Sequence, residues 1–390
     1  MEKVRIIIGG DICPTKDNEA FFEMGKADVL FNDLIEDTRD ADMRIVNLEC
    51  PLIEKSNPIS KIGPILGNKS SCINGLKSAE IDIVCLANNH IMDNGEDGVK
   101  NTVEQCNRLG IKTVGVGANI NDARKIISYE INGCSIGVLA MAENEFSLAT
   151  EKSWGANSID IIEFIRESQV FRKKHDFIIA LVHGGSEHYP YPSPRVQKLS
   201  RFFIEQGVGL VVWQHSHCPG CFEKYMDGYI VYGQGNLIFS HKTDSLDWHR
   251  GYLVDFTFNK NGNSLFNIIP YTQSYGHIGA KKMSKIDAAQ FIEYIKDMST
   301  QIYDTEVVTK KWNEFCAKEK NWYIAELAGY GRIFDRLSVF NRLDLNQFLL
   351  KILKLNKQSL NKFSNLLNCE AHYEVLVTSL KQYMHEISEK

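Results

Sequence analysis

Residues 83–90, IVCLANNH, decide how this chain is read: an apolar, β-branched run breaks off into two carboxamides and an imidazole. Runs of that composition form buried strands, whereas Asn88, Asn89 and His90 together have no packing rationale and suit neither helix nor strand. One such ending means little, because strands must stop somewhere and polar residues cap them. The same event recurs on both sides. IIIGGD (6–11) ends at Asp11, and RIVNLE (44–49) ends at Asn47 and Glu49. FIIALVHGG (177–185) delivers His183, and LVVWQHSH (210–217) delivers His215 and His217. Five endings of this kind predict a parallel sheet whose strand ends converge on one site, where open α/β sheets bind ligands. The side chains gathered there are those of a divalent-metal centre.

Each ending has its own chemistry. Gly9 and Gly10 let the backbone turn tightly and come close to a ligand before Asp11. Taken alone, Asp11 reads as a turn aspartate bonding local amides. Asn47 and Glu49 are two apart, so on a strand both face one side while Leu48 faces the other. A carboxylate placed like Glu49 can bridge two cations. The carboxamide oxygen of Asn89 is a neutral metal ligand, and His90 beside it can protonate a leaving oxygen; Asp93 and Gly95 read as a turn into the next helix. His183 is followed by Gly184 and Gly185, which leave room for metal and substrate; Glu187 and His188 on the same loop could reach the pocket, but polar loop residues of this kind are more often just exposed. His215 and His217 share one side of an extended segment. Cys218 and Cys221 have no second Cys/His pair at zinc-finger spacing and read as bystanders. The loop YGQGN (232–236) implies close backbone approach, but lacks the lysine and following helix of a phosphate loop.

The bulk composition narrows the class. At 390 residues, 44% hydrophobic and 24% charged, the chain matches an ordinary globular protein. Its net charge of −5 leaves no basic footprint, so no nucleic-acid partner is expected. The opening MEKVRIIIGGD is not a secretory signal, and no run approaches the ~18 apolar residues of a membrane span. A cytoplasmic location without an integral membrane segment is therefore expected. Ten cysteines fall well below disulfide-scaffold density, and several sit in apolar patterns as small hydrophobes, which fits a reducing compartment.

Along the chain, strand-like segments at 4–8, 44–46, 82–87, 112–116, 134–141, 176–182 and 208–213 alternate with helix-like segments at 21–40, 98–109, 159–174 and 194–206. Segments 229–232, 252–258 and 266–271 are expected as antiparallel strands that finish the core. This alternation predicts an α/β fold. From Met283 strand signals vanish, and 288–302 and 348–367 have helical periodicity. The expected division is a core domain over 1–282 and a helical region over 283–390 packed on it.

In order, GD (10–11), NLE (47–49), ANNHxxDxG (87–95), GVGAN (115–119), HGG (183–185), HxH (215–217) and YGQGNLIFS (232–240) resemble the CapA family of poly-γ-glutamate capsule biosynthesis proteins. That family is a branch of the calcineurin-like metallophosphoesterase fold. The resemblance covers residues 4–258, with the helical tail outside it. It implies a metallophosphatase-like layered α/β/β/α sandwich with a C-terminal helical appendage, and one or two divalent ions (Mn, Fe or Zn). It places Asp11 and His217 at one metal, Asn89, His183 and His215 at the other, Glu49 between them, and His90 as the acid at the leaving group.

Three departures stand out: the usual Asp-x-His is Asp11-Ile12-Cys13, the bridging Asp is Glu49, and the Gly before the last His-x-His is Gln214. Two functions follow from the resemblance. One is a metal-dependent hydrolase of a phosphoester or amide bond linked to capsule or poly-γ-glutamate biosynthesis. The other is a non-hydrolytic metal-binding component of polymer assembly. Either takes an anionic small-molecule or polymer substrate.

Overall fold

A computed structural model of the chain describes residues 3–327 and 357–388. Two mixed sheets face each other across one apolar core. In the first, the strands Val4–Ile12, Met43–Leu48, Ile83–Cys85 and Lys112–Val114 run parallel in that order. On the other side of Val4–Ile12 the strands Arg250–Phe258, Ser264–Gln273 and Ala280–Lys282 continue antiparallel. In the second sheet Cys134–Ala142, Phe177–His183, Leu210–Gln214 and Gly228–Val231 are parallel. Antiparallel strands Ile127–Ile131 and Phe222–Tyr225 flank them. The polar strand ends thus belong to two sheets rather than to one, three on the first and two on the second.

Parallel strands covered on both faces read as unbroken apolar runs, and every residue of Met43–Leu48 and Leu210–Gln214 is buried. The seam between the sheets is aromatic: Phe177 of the second stacks on Phe256 and Phe258 of the first at 5.3 and 4.1 Å. Helix Gly95–Arg108 covers the first sheet. Pro194–Glu205, with Ile161–Lys174 packed beside it through Phe164 and Phe203, covers the second. The layering is α/β/β/α. Among the described residues no helix is long and apolar enough to cross a membrane.

Two local expectations change. The helix expected over 21–40 is broken into Glu19–Glu23, Ala27–Leu30, Asn32–Leu34 and Ile35–Thr38. Gly25 and Asn32 adopt φ of +64° and +46°, a left-handed backbone that cannot continue a right-handed helix. The Asn32 amide donates to the carbonyls of Ile278 and Ala280 at 2.9 and 3.0 Å, which fixes the break from outside. The strand expected over 229–232 runs parallel to Leu210–Gln214, because the chain first turns back through Phe222–Tyr225.

Helix Lys285–Gln301 buries Phe291, Ile295 and Met298 in the main core. Helices Thr305–Leu327, Lys357–Asn368 and Glu370–Ser388 pack on one another. They surround a second cluster containing Trp312, Cys316, Val375 and Leu376, into which Tyr189 of the core inserts. Of the helix expected over 348–367, the part before 357 lies outside the described residues.

Candidate metal centre

Asp11 is positioned by a bulge. Between Ile8 and Asp11 the first strand carries one residue more than its neighbour has between Ile45 and Asn47. Bulges of this kind re-aim side chains beside functional sites. The carbonyls freed from the ladder, those of Ile8 and Gly9, accept from Gln234 Nε2 at 2.7 Å and Gln214 Nε2 at 2.9 Å. Gln214, the unexpected residue before His215, therefore ties the second sheet to the first. The bulge sets Asp11 opposite Asn47, whose Nδ2 donates to Asp11 Oδ1 at 2.7 Å.

Gly10 permits this approach, since a Cβ there would collide with the carbonyl oxygen of Gly235. Because the obstacle is backbone, Gly10→Ala is expected to cost about 3 kcal/mol or more. Thermal melts of the metal-free protein would reveal it, and an unchanged melting temperature would contradict the bulge.

Glu49, fully buried, lies at the middle of the site. Its Oε1 stands 3.3 Å from His183 Nε2, 3.9 Å from His215 Nδ1 and 3.9 Å from His217 Nε2. Asn89 Oδ1 is 3.0 Å from His183 Nε2, and Asp11 Oδ2 is 3.8 Å from His217 Nδ1. The structure therefore brings Asp11, Glu49, Asn89, His183, His215 and His217 together. Asn47 contacts His183 Nδ1 at 3.1 Å, and Asn236 Oδ1 contacts His217 Nδ1 at 2.8 Å, so each ring is fixed through the nitrogen away from Asn89 or Glu49. His215 and His217 are held at φ of +103° and +51°. For non-glycine residues such angles cost about 1–3 kcal/mol and cluster at functional sites.

The electrostatics of the cluster bear on whether these residues fit a cation. Burial alone would push the Glu49 carboxyl up, but the imidazoles of His217, His183 and His215 outweigh it and hold the group well below the usual carboxylate range. Burial works against a charged His215, yet Glu49, Glu187 and Glu145 lift it to about 10. His217 is raised by Glu49, Glu187 and Asp11, whereas burial lowers His183. Burial and then Glu49 push Asp11 up. Even so, neither oxygen of Glu49 nor Nδ1 of His215 has a hydrogen-bond partner, although all three atoms are buried. Burying a charge without hydrogen bonds is costly. Separations of 3.3–3.9 Å are long for hydrogen bonds and suit ligands sharing a cation at ~2.0–2.2 Å. The residues present fit a divalent metal with mixed oxygen and nitrogen ligands.

His90 lies on the wall of the same cleft, about 880 Å³ in volume, as Asn89, His215 and His217. Its Nδ1 meets Asp93 Oδ2 at 2.6 Å, and Asp93 is in turn gripped by Lys61 Nζ at 2.6 Å and the Leu66 amide at 2.7 Å. Asp93, read from sequence as a turn residue, is thus the group that orients His90. Cys13 does not supply the missing imidazole. Its thiol packs with Cys50 beside the Asn68 amide, 3.9 Å from Cys13 Sγ and 3.1 Å from Cys50 Sγ, and contact with Cys50 and burial push it well up. Sequence reasoning missed Asn236, although its place after the YGQG turn was a signal for close approach. Glu187 is exposed, as its loop position suggested, and its Oε1 also comes within 3.9 Å of His215 Nε2.

The two-sheet sandwich thus brings acidic and imidazole side chains together at its strand ends. The profile of the bacterial capsule synthesis protein family (PGA_cap) matches residues 5–241, and the chain belongs to that family. It is 25% identical over 281 residues to the capsule biosynthesis protein CapA of Bacillus anthracis, covering 69% of this chain and 67% of that one. It is 29% identical over 269 residues to the PGA biosynthesis protein CapA of Bacillus subtilis, covering 67% and 69%. Among solved structures, the calcineurin-like phosphoesterase YfkN of Bacillus subtilis aligns over 79% of this chain and 98% of its own, with a TM-score of 0.42 and 11% identity.

Proposed function

We propose that this chain is a metal-dependent hydrolase that cleaves a phosphoester or amide bond in an anionic precursor or polymer of capsule or poly-γ-glutamate formation. The observation that carries this reading is Glu49: a buried carboxylate with both oxygens unpartnered, ringed by three imidazoles. Asp11 and His217 would hold one divalent cation (Mn, Fe or Zn), Asn89, His183 and His215 a second, and Glu49 both. Two such ions, when bound, lower the pKa of water and offset charge on the attacked group.

His90 acts as the acid toward the leaving group. Asp93 occupies its Nδ1, so Nε2 is the nitrogen left for substrate. The cleft volume of about 880 Å³ lies within the range of sites that bury a substantial ligand. Residues 1–282 form the hydrolytic unit and 283–390 a helical region in this reading, and helices Thr305–Leu327 and Glu370–Ser388 build the far wall of the cleft through Trp322, Tyr323 and His372. All ten cysteines are free and buried, which supports work in a reducing compartment such as the cytoplasm.

A second reading, a non-hydrolytic metal-binding component of polymer assembly, is favoured by one observation: Cys13 turns to Cys50 and Asn68 instead of completing the first metal position. One experiment separates the two. Purified chain loaded with Mn is offered phosphodiester, phosphomonoester and γ-glutamyl substrates. Hydrolysis of one class, lost on chelation, is expected; binding without turnover on all three would leave the second reading standing.

A further inference from the structure

We propose a second cation site, apart from the Glu49 centre, in which Glu145, Cys369 and His372 bind a zinc-type divalent ion and fasten the C-terminal helices to the loop beyond strand Cys134–Ala142. The proposal goes beyond the hydrolase reading and holds whether or not the chain is catalytic. Three consecutive residues of that loop face the tail. The Glu143 carboxylate pairs with Arg195, which also holds Glu374 at 2.9 Å. The amide of Asn144 donates to Glu370 Oε2 at 2.7 Å. These two links are closed contacts. The third is open: Glu145 Oε1 stands 3.7 Å from His372 Nε2.

That separation is too long for a hydrogen bond. It suits two ligands of one tetrahedral ion whose bonds are ~2.0–2.2 Å to N and O and ~2.3 Å to S. Cys369 Sγ completes the triangle. The three ligand atoms lie within 4.8 Å of one another, as do those of Glu49, His215 and His217. Tyr323 Oη contacts His372 Nδ1 at 3.1 Å, so the ring is fixed with Nε2 toward Glu145, the outer-shell support that ligating histidines commonly have. Cys369 and His372 are three residues apart at the start of helix Glu370–Ser388, a spacing that puts both on one helix face.

The thiolate sets this site apart in kind. Soft sulfur selects zinc over magnesium or manganese, whereas the Glu49 centre offers only oxygen and nitrogen. Glu145, Cys369 and His372 all line the cleft that also holds His215 and Glu187, so a fourth ligand, water or a substrate oxygen, would come from the cleft. The site joins the far wall of the cleft to the loop whose Glu143 accepts from the Gly185 amide at 3.1 Å, two residues beyond His183.

Cobalt(II) reports thiolate ligation directly, through a sulfur-to-metal charge-transfer band in the near ultraviolet. Added to the metal-free full chain, cobalt is expected to give this band. The band should survive in Cys13→Ser and Glu49→Gln and disappear in Cys369→Ser. As a second measurement less exposed to misfolding, zinc per chain by elemental analysis should fall by one equivalent in His372→Asn. No band in the wild type, a band that persists in Cys369→Ser, or unchanged zinc in His372→Asn would reduce the cluster to an ion pair beside a buried thiol. Loss of hydrolysis alone would bear on the Glu49 centre and leave this site unaffected.

Discussion

Replacing His90 by alanine should lower kcat by about 10²–10⁴-fold, the usual contribution of a positioned general acid, with bound metal per chain unchanged. The two halves of this expectation come from geometry. The converging ligand contacts run through Asp11, Glu49, Asn89, His183, His215 and His217, and His90 makes none of them. It is tied instead to Asp93 at 2.6 Å on the cleft wall. The loss should also depend on the leaving group. An acid matters most where the departing oxygen or nitrogen is a strong base and least where it leaves as a stable anion such as p-nitrophenolate. Asp93→Asn should give a smaller loss of the same pattern, because it loosens the ring without removing it. Steady-state kinetics on a good and a poor leaving group, with elemental analysis of each variant, decide the matter. Metal lost together with activity in His90→Ala would make His90 a ligand or a structural residue instead.

What could be read without coordinates follows from how local each signal is. Buried parallel strands announce themselves as apolar runs, and a polar residue at the end of such a run is a local signal too, which is why the convergence of Asp11, Glu49, Asn89, His183, His215 and His217 is legible in the sequence. Features set by distant partners were not legible. The bulge at Gly9 and Gly10 depends on side chains of Gln214 and Gln234, far along the chain. The break in the helix expected over 21–40 is held by carbonyls of residues 278 and 280. The direction of Gly228–Val231 is decided by pairing with Leu210–Gln214, which no periodicity encodes. Glu187 is the exposed loop residue that its sequence suggests, but its distance to the site is not set locally. Its position near His215 comes from the His188 amide donating to the Ser216 carbonyl at 2.8 Å, which joins the two histidine loops.

Glu49→Gln should remove most of the metal affinity, and its effect on the metal-free protein should vary with pH in a definite direction. The metal-free centre balances itself with protons: His215, lifted to about 10 by the surrounding acids against the penalty of burial, takes the place of a cation beside Glu49. A histidine whose folded pKa exceeds its unfolded value near ~6.5 stabilises the fold fully below that value and loses the contribution as pH rises through about 10. Glu49, shifted down, contributes above its ordinary range near ~4.3 and loses that contribution as pH falls into acid.

Metal-free wild type should therefore be most stable between roughly pH 5 and 7 and weaken steadily toward pH 10. In Glu49→Gln the imidazoles lose their anion and shed protons earlier, so the alkaline decline flattens. The variant should be less stable by about 3–5 kcal/mol near neutrality, the cost of breaking a buried ion pair, and the gap should narrow toward pH 10. Metal binding runs the opposite way with pH, since a cation must displace the His215 proton and wild-type affinity therefore rises as pH rises. A neutral amide cannot offset the charge of a divalent cation, so Mn affinity should fall by more than the about 10–100-fold that loss of a supporting residue costs. Melting curves of chelator-treated protein across this pH range, with calorimetric Mn titrations, test both parts. Parallel pH slopes for wild type and variant would show that the proton on His215 is not held by Glu49.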